Sequence, residues 1–202
     1  MRKLLHDRGG ASAAEFALLV PLLLLLIFGI IDGGRWLWTY NRAEKAAQMG
    51  ARFAAVANAP AGDLASADGI YESYLGVGGL TQGDAIPASA FGLITCNDSS
   101  CTCTTTPCPT LGTFSQANFR AIVDRMRKFM PEIQYGNLDV EYSSSGLGYA
   151  GDPNGADLSP LVTVKLTGLQ FRPLTALLLA TFTMPDFTTT LTAEDLRGSQ
   201  SN

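Results

Sequence analysis

Histidine is almost missing from this chain: the 202 residues hold one, His6. Its scarcity leaves no basis for His-driven acid–base catalysis, for a Ser-His-Asp triad or for a His-ligated hydrolytic zinc. No phosphate loop of the Walker type is present either. Together these gaps give no reason to expect an enzyme, a cofactor or a metal centre. Basic excess is lacking too. The formal net charge is −4, and affinity for a phosphate backbone rests on lysine and arginine, so no nucleic-acid partner is expected. Charged residues make up 16% of the chain, and none lies between Phe16 and Ile31. Cysteine is confined to Cys96, Cys101, Cys103 and Cys108, four within 13 residues.

What the chain does have is one long apolar run. Ala11 to Ile31 is 21 residues, of which only Ser12 and Glu15 are not apolar. As a helix it spans about 30 Å, the thickness of a bilayer's hydrocarbon core. Arg2, Lys3 and Arg8 outweigh Asp7 ahead of it, which keeps the N-terminus cytoplasmic and sends the remainder across the membrane. Trp36, Trp38 and Tyr40 follow the run, where aromatic side chains mark the far interface. Ordinary signal cleavage behind the run needs a small-residue site just after it, and Asp32-Gly33-Gly34-Arg35-Trp36 is a poor fit to one. Pro21 removes a backbone donor early in the helix, which either kinks it or is tolerated as such. Gly29 and Gly33 form a G-x-x-x-G pair that permits close helix approach.

Glu15 is the costly residue, because hydrocarbon does not solvate a carboxylate. Cleavage after Gly10 would relieve that cost. Gly10 presents a peptidase with no side chain, and the cut turns Ala11 into an α-ammonium. Ala11 and Glu15 are four apart and share a helix face, so the ammonium can neutralise Glu15 of its own chain or of a neighbour. The plainer alternative is a helix-start acid at the cytoplasmic headgroups, favoured by the helix dipole.

The segment from Arg8 through Gly10, Ala11, Glu15, Phe16 and Pro21 to Leu23 resembles the start of TadE-like and TadG-like proteins of the Flp/Tad pilus system. The likeness is close over residues 8–56 and looser over 160–197. It implies a minor pilin or pseudopilin of a Tad-type (type IVb) pilus, cut between Gly10 and Ala11 by a membrane prepilin peptidase. It also implies other pilin or pseudopilin subunits and Tad inner-membrane assembly proteins as partners, beside the lipid bilayer. The expected location is the bacterial inner membrane, single-pass, with the C-terminal part periplasmic or carried into the pilus. The leader holds three basic residues against one acidic, so removing it takes the formal charge from −4 to −6 and discards His6. The alternative function is an uncleaved, signal-anchored periplasmic binding or scaffold protein.

Beyond the membrane run the pattern becomes amphipathic. Tyr40, Ala43, Ala47, Gly50, Ala54 and Ala57 recur at steps of three and four, with Arg42, Glu44, Lys45, Gln48 and Arg52 largely between them. The helix is expected to end near Asn58, before Pro60. Three regions follow: a leader over 1–10, a transmembrane and amphipathic helix over 11–58, and a periplasmic domain over 59–202. That domain is large enough for one core. It should hold a short helix near Ala65–Leu75, a helix over Asn118–Met130 capped by Asn118, and strands at Leu138–Tyr142, Leu161–Thr167 and Phe187–Thr192. Leu174–Phe182 is apolar but too short to span a bilayer, and reads as a core helix or one resting on the membrane surface. The fold class is α+β and pilin-like, a long helix packed on a small antiparallel sheet.

The cysteines follow the spacing C-x4-C-x-C-x4-C, and residues 96–108 read as a stapled surface loop. In an exported domain this favours disulfides over zinc, which lacks its usual ligand spacing and any histidine here. Two pairings are open: 96–101 with 103–108, or 96–103 with 101–108. Asp152, Asn154 and Asp157 sit in a Gly-rich stretch that reads as a turn rather than a calcium loop.

Overall fold

The computed structural model describes residues 8–64, 74–76, 79–151, 157–177, 181–193 and 196. The leader through Asp7, most of the helix expected near 65–75, and the positions of Asp152 and Asn154 lie outside these residues. Helix α1 runs over Arg8–Ala54 with Pro21 inside it, so it stops four residues short of the expected Asn58. The chain divides into two compact units. Met1–Asn41 and Gln170–Thr183 form one, and Arg42–Leu169 with Met184–Asn202 form the other.

The second unit is α+β. Its five-stranded antiparallel sheet is built from β1 (Leu93–Cys96), β2 (Cys101–Thr105), β3 (Leu138–Ser143), β4 (Leu161–Leu166) and β7 (Phe187–Thr192), in the order β2-β1-β3-β4-β7. Alternation sorts the two faces. Leu138, Val140 and Tyr142 of β3 and Val162, Val164 and Leu166 of β4 are buried, while the residues between them are partly exposed. The partly exposed face carries Thr95, Asp139, Glu141, Thr163 and Lys165, with Lys165 Nζ 2.7 Å from Glu141 Oε1. Burial raises the Asp139 carboxyl above its ordinary value; Glu141 adds to the shift and Lys165 opposes it.

Helix α2 covers Gln116–Arg127 and turns Phe119, Ile122, Val123 and Met126 into the core. Its cap is Ser115, whose hydroxyl accepts from the Asn118 N–H at 3.3 Å. Asn118 is therefore inside the helix rather than at its start, and its side-chain amide donates to the Ala59 carbonyl at 3.0 Å. The helix ends before Met130 as well, and Met130 is buried beyond it.

In the first unit, the residues inserted between β4 and β7 form a two-stranded ladder, β5 (Gln170–Phe171) with β6 (Phe182–Thr183). A single 3-10 turn over Leu174–Leu177 stands where a longer apolar helix was expected; residues 178–180 lie outside the described part. Pro173 fixes the entry to that turn, since its ring sets φ near helical values.

Candidate functional site: the N-terminal helix

Two stretches of α1 have opposite surroundings. From Phe16 to Ile31 the side chains are bare: Phe16 is 70% exposed, Leu18 79% and Ile30 69%. The 42 residues of Ala13–Ala54 contain a window of mean hydropathy 2.7 with none of it buried inside the protein, long and apolar enough to cross a membrane. Such a surface is compatible with a single membrane crossing. At Gly29, Gly33 and Gly34 no described atom beyond the local helix backbone lies within 4 Å of where a Cβ would project. Glu15 is exposed on this stretch. Pro21 costs the helix the bond its N–H would give to the Ala17 carbonyl. The Gly10–Ala11 peptide falls in the first turn of α1, where backbone N–H groups have no intrahelical acceptor and the Gly9-Gly10 pair holds the helix least firmly.

From Arg42 onward the same helix is a core element of the second unit. Ala43, Ala46, Ala47, Ala51 and Ala54 are buried, with Glu44, Lys45 and Arg52 turned outward. Gly50 is the point of closest approach. A Cβ built on it would stand 2.7 Å from Met126 Sδ on α2 and 3.4 Å from Val164 Cγ1 on β4. The small-residue stripe exists because three elements meet there. Arg42 holds the end of α2's exit, donating to the Phe129 carbonyl at 3.0 Å and pairing with Glu132 at 3.3 Å.

Asp32 was not singled out from the sequence, yet it is the most heavily bonded side chain of the first unit among the described residues. It is 7% exposed. Its carboxylate accepts from the Leu174 N–H at 2.6 Å, the Thr175 N–H at 3.0 Å and the Thr175 hydroxyl at 2.9 Å. Arg35, one turn on, donates to it at 3.0 Å, and the Arg35 guanidinium lies 5.6 Å from the Phe171 ring centroid. A residue of α1 thus caps a turn 142 positions away in sequence. The available signal was a lone carboxylate directly after the apolar run, with an arginine at i+3.

The cysteines sit on a hairpin rather than in an irregular loop. Cys96 and Cys101 face each other across β1 and β2 and are bonded, and Cys103 is bonded to Cys108. The turn between the strands is made by Asn97, whose side-chain oxygen accepts from the N–H of Ser99 and of Ser100, both at 2.9 Å. Asp98 at its tip pairs with Arg120 of α2 at 2.9 Å. The Arg120 hydrogen bond holds the Asp98 carboxyl below its ordinary value, against a smaller effect of burial. Arg120 and Arg127 both lie over the Tyr135 ring, at 4.5 and 4.0 Å. Asp157 accepts from the N–H groups of Tyr74 and Gly151, each at 2.8 Å, so its carboxylate organises backbone in the loop once weighed against calcium.

Residues 10–52 match the family model described as TadE-like protein. This part of the chain is similar to TadE-like proteins. The match takes in Gly10, Glu15, Phe16, Pro21, Gly29 and Gly33, and also the buried stripe as far as Arg52. No curated protein and no solved structure matches the chain. The TadE-like part therefore ends almost where α1 ends, and the cysteine hairpin and the sheet lie beyond it.

Proposed function

We propose that the protein is a minor pilin or pseudopilin that takes part in assembling a Tad-type pilus. The observation that carries this reading is the extent of the TadE-like match: it covers both the bare apolar stretch and the packed stripe of one continuous helix. A helix that only anchored a domain would need the first and not the second. In this reading residues 11–31 cross the bacterial inner membrane with the N-terminus cytoplasmic, and the domain beyond the helix is periplasmic. A prepilin peptidase cuts after Gly10, and the new Ala11 ammonium pairs with Glu15 of the same or an adjacent subunit, fixing the register of neighbouring helices. Gly29 and Gly33 give those helices a face on which to approach. Other pilin-like subunits and Tad inner-membrane assembly proteins are the partners.

The test is the mature N-terminus. Expressed with its cognate prepilin peptidase, the protein should begin at Ala11, and Gly10→Arg should block the cut. An intact Met1 in the presence of active peptidase overturns the processing step and favours the uncleaved, signal-anchored scaffold instead. Glu15→Ala should then leave the thermal unfolding of the exported domain unchanged while reducing incorporation into pili. Normal incorporation of that variant would refute the pairing role.

A further inference from the structure

We propose that the described residues 170–177 and 181–183, held by Asp32, are a second membrane contact: an interfacial wedge that sits in the headgroup and upper acyl region on the side where the apolar run ends. The inference rests on the reading that residues 11–31 span the bilayer. Asp32 directly follows Ile31, the last residue of that run. Its carboxylate grips the backbone of Leu174 and Thr175, which fixes this excursion at the depth where the helix leaves hydrocarbon. There the excursion shows apolar side chains to the outside: Leu174 is 55% exposed and Phe182 50%. On α1 the neighbouring positions Leu37 and Trp38 are 57% and 69% exposed. In water four bare apolar groups in one small unit would be a liability, whereas at a bilayer interface each gains by partial burial.

The polar groups agree with that depth. Asp32 is neutralised by Arg35 and by three further donors, so it adds no bare charge near the lipid. The one charged residue of the excursion is Arg172, which is exposed; a long basic side chain there reaches anionic headgroups while its stem stays in the apolar layer. Pro173 to Phe182 is otherwise Leu, Ala and Thr, a composition suited to lying in an interface and too short to cross it.

The experiment uses the full chain reconstituted in vesicles of mixed zwitterionic and anionic phospholipid, with brominated acyl chains as quencher. Trp36 and Trp38 are the two tryptophans of the chain. With both changed to Phe, one tryptophan is introduced at a time by Leu26→Trp, Leu174→Trp, Phe182→Trp or, as an exposed control on β7, Thr190→Trp. Emission from positions 174 and 182 should be quenched severalfold by shallow bromines and less by deep ones, with position 26 quenched by deep bromines and position 190 by neither. If 26 is quenched while 174 and 182 answer only to aqueous iodide, the wedge is wrong and the span stands. If 26 itself escapes lipid quenching, the spanning reading fails and the wedge with it. Asp32→Asn tests the grip separately: positions 174 and 182 should lose their protection from iodide while 26 keeps its own. Unchanged protection in that variant would overturn the assignment of Asp32 as the holding residue.

Discussion

Gly50 offers the sharpest test of why α1 carries a stripe of small residues. Replacing it with Ala puts a methyl 2.7 Å from Met126 Sδ and 2.8 Å from Met126 Cγ, closer than real contacts allow. Overpacking a core costs about 1–3 kcal/mol, and Ala in place of Gly returns about 1 kcal/mol of helix propensity. Methionine is flexible and yields at its far end, so Gly50→Ala should be close to neutral or destabilising by about 1 kcal/mol. Gly50→Val adds two further methyls, one toward Val164, whose Cγ1 is already 3.4 Å from the Cβ position. It should cost about 2–3 kcal/mol, which at about 3 °C per kcal/mol lowers the unfolding midpoint by about 6–9 °C. Near-UV circular dichroism of the detergent-solubilised full chain reads this midpoint. A double-mutant cycle sharpens the cause. Met126→Ala alone should cost about 2–5 kcal/mol, and combined with Gly50→Ala it should cost less than the sum by about 1 kcal/mol, because the new methyl occupies vacated space. An unchanged midpoint for Gly50→Val, or strict additivity in the cycle, would show that α1, α2 and β4 do not meet at Gly50.

Three other outcomes follow from the second unit. Each disulfide closes a loop of sequence separation 5, so replacing either pair by alanine should cost about 2 kcal/mol in denaturant unfolding; no loss for Cys96→Ala with Cys101→Ala would argue against the hairpin pairing. Asp139 has its folded pKa raised above 3.8 by burial, so the folded state holds its proton more tightly than the unfolded state, and this contribution is greatest at low pH and falls as pH rises through the folded value. Asp139→Asn should therefore raise the midpoint at neutral pH and flatten that decline; a lower neutral midpoint would refute the sign. Asp98 is shifted the other way, below 3.8, by its hydrogen bond to Arg120. Its contribution is present above the unfolded value and is lost as pH falls through the folded one, so Arg120→Gln should destabilise more at neutral pH than in strong acid, where only its contact with the Tyr135 ring is missing; an equal loss at both would refute the linkage.

The elements that a period reveals were readable in the sequence, and those set by distant partners were not. Alternation marks Leu138–Tyr142 and Leu161–Thr167, Phe187–Thr192 is a third candidate rich in β-branched threonine, and the structure has strands at all three. The face of α2 is equally plain, because Phe119, Ile122, Val123 and Met126 repeat at helical spacing. Its start was misjudged because Ser115 and Asn118 are both good caps, and only the Ala59 carbonyl, far away in sequence, takes Asn118 out of that role. The strands β1 and β2 were hidden for a different reason. Cys, Thr and Ser crowd residues 95–106 with little apolar alternation, so the stretch looked like loop; pairing with β3 makes it sheet.

Glu15 and Asp32 bracket the apolar run and show two solutions to one problem. Both are carboxylates at the margins of a stretch that cannot solvate them. Asp32 is answered within the chain, by two backbone N–H groups, a hydroxyl and a guanidinium. Those bonds tie α1 to the turn at Leu174 and Thr175. Glu15 lies exposed on the helix surface. Under the proposed function its counter-charge is the Ala11 ammonium that cleavage at Gly10 would create. In that reading one end of the run serves structure and the other serves assembly. It also orders the experiments: Asp32→Asn should disturb the unit that contains it with or without a peptidase, whereas Glu15→Ala should matter only after processing. A Glu15→Ala defect that is equally large in uncleaved protein would break that argument.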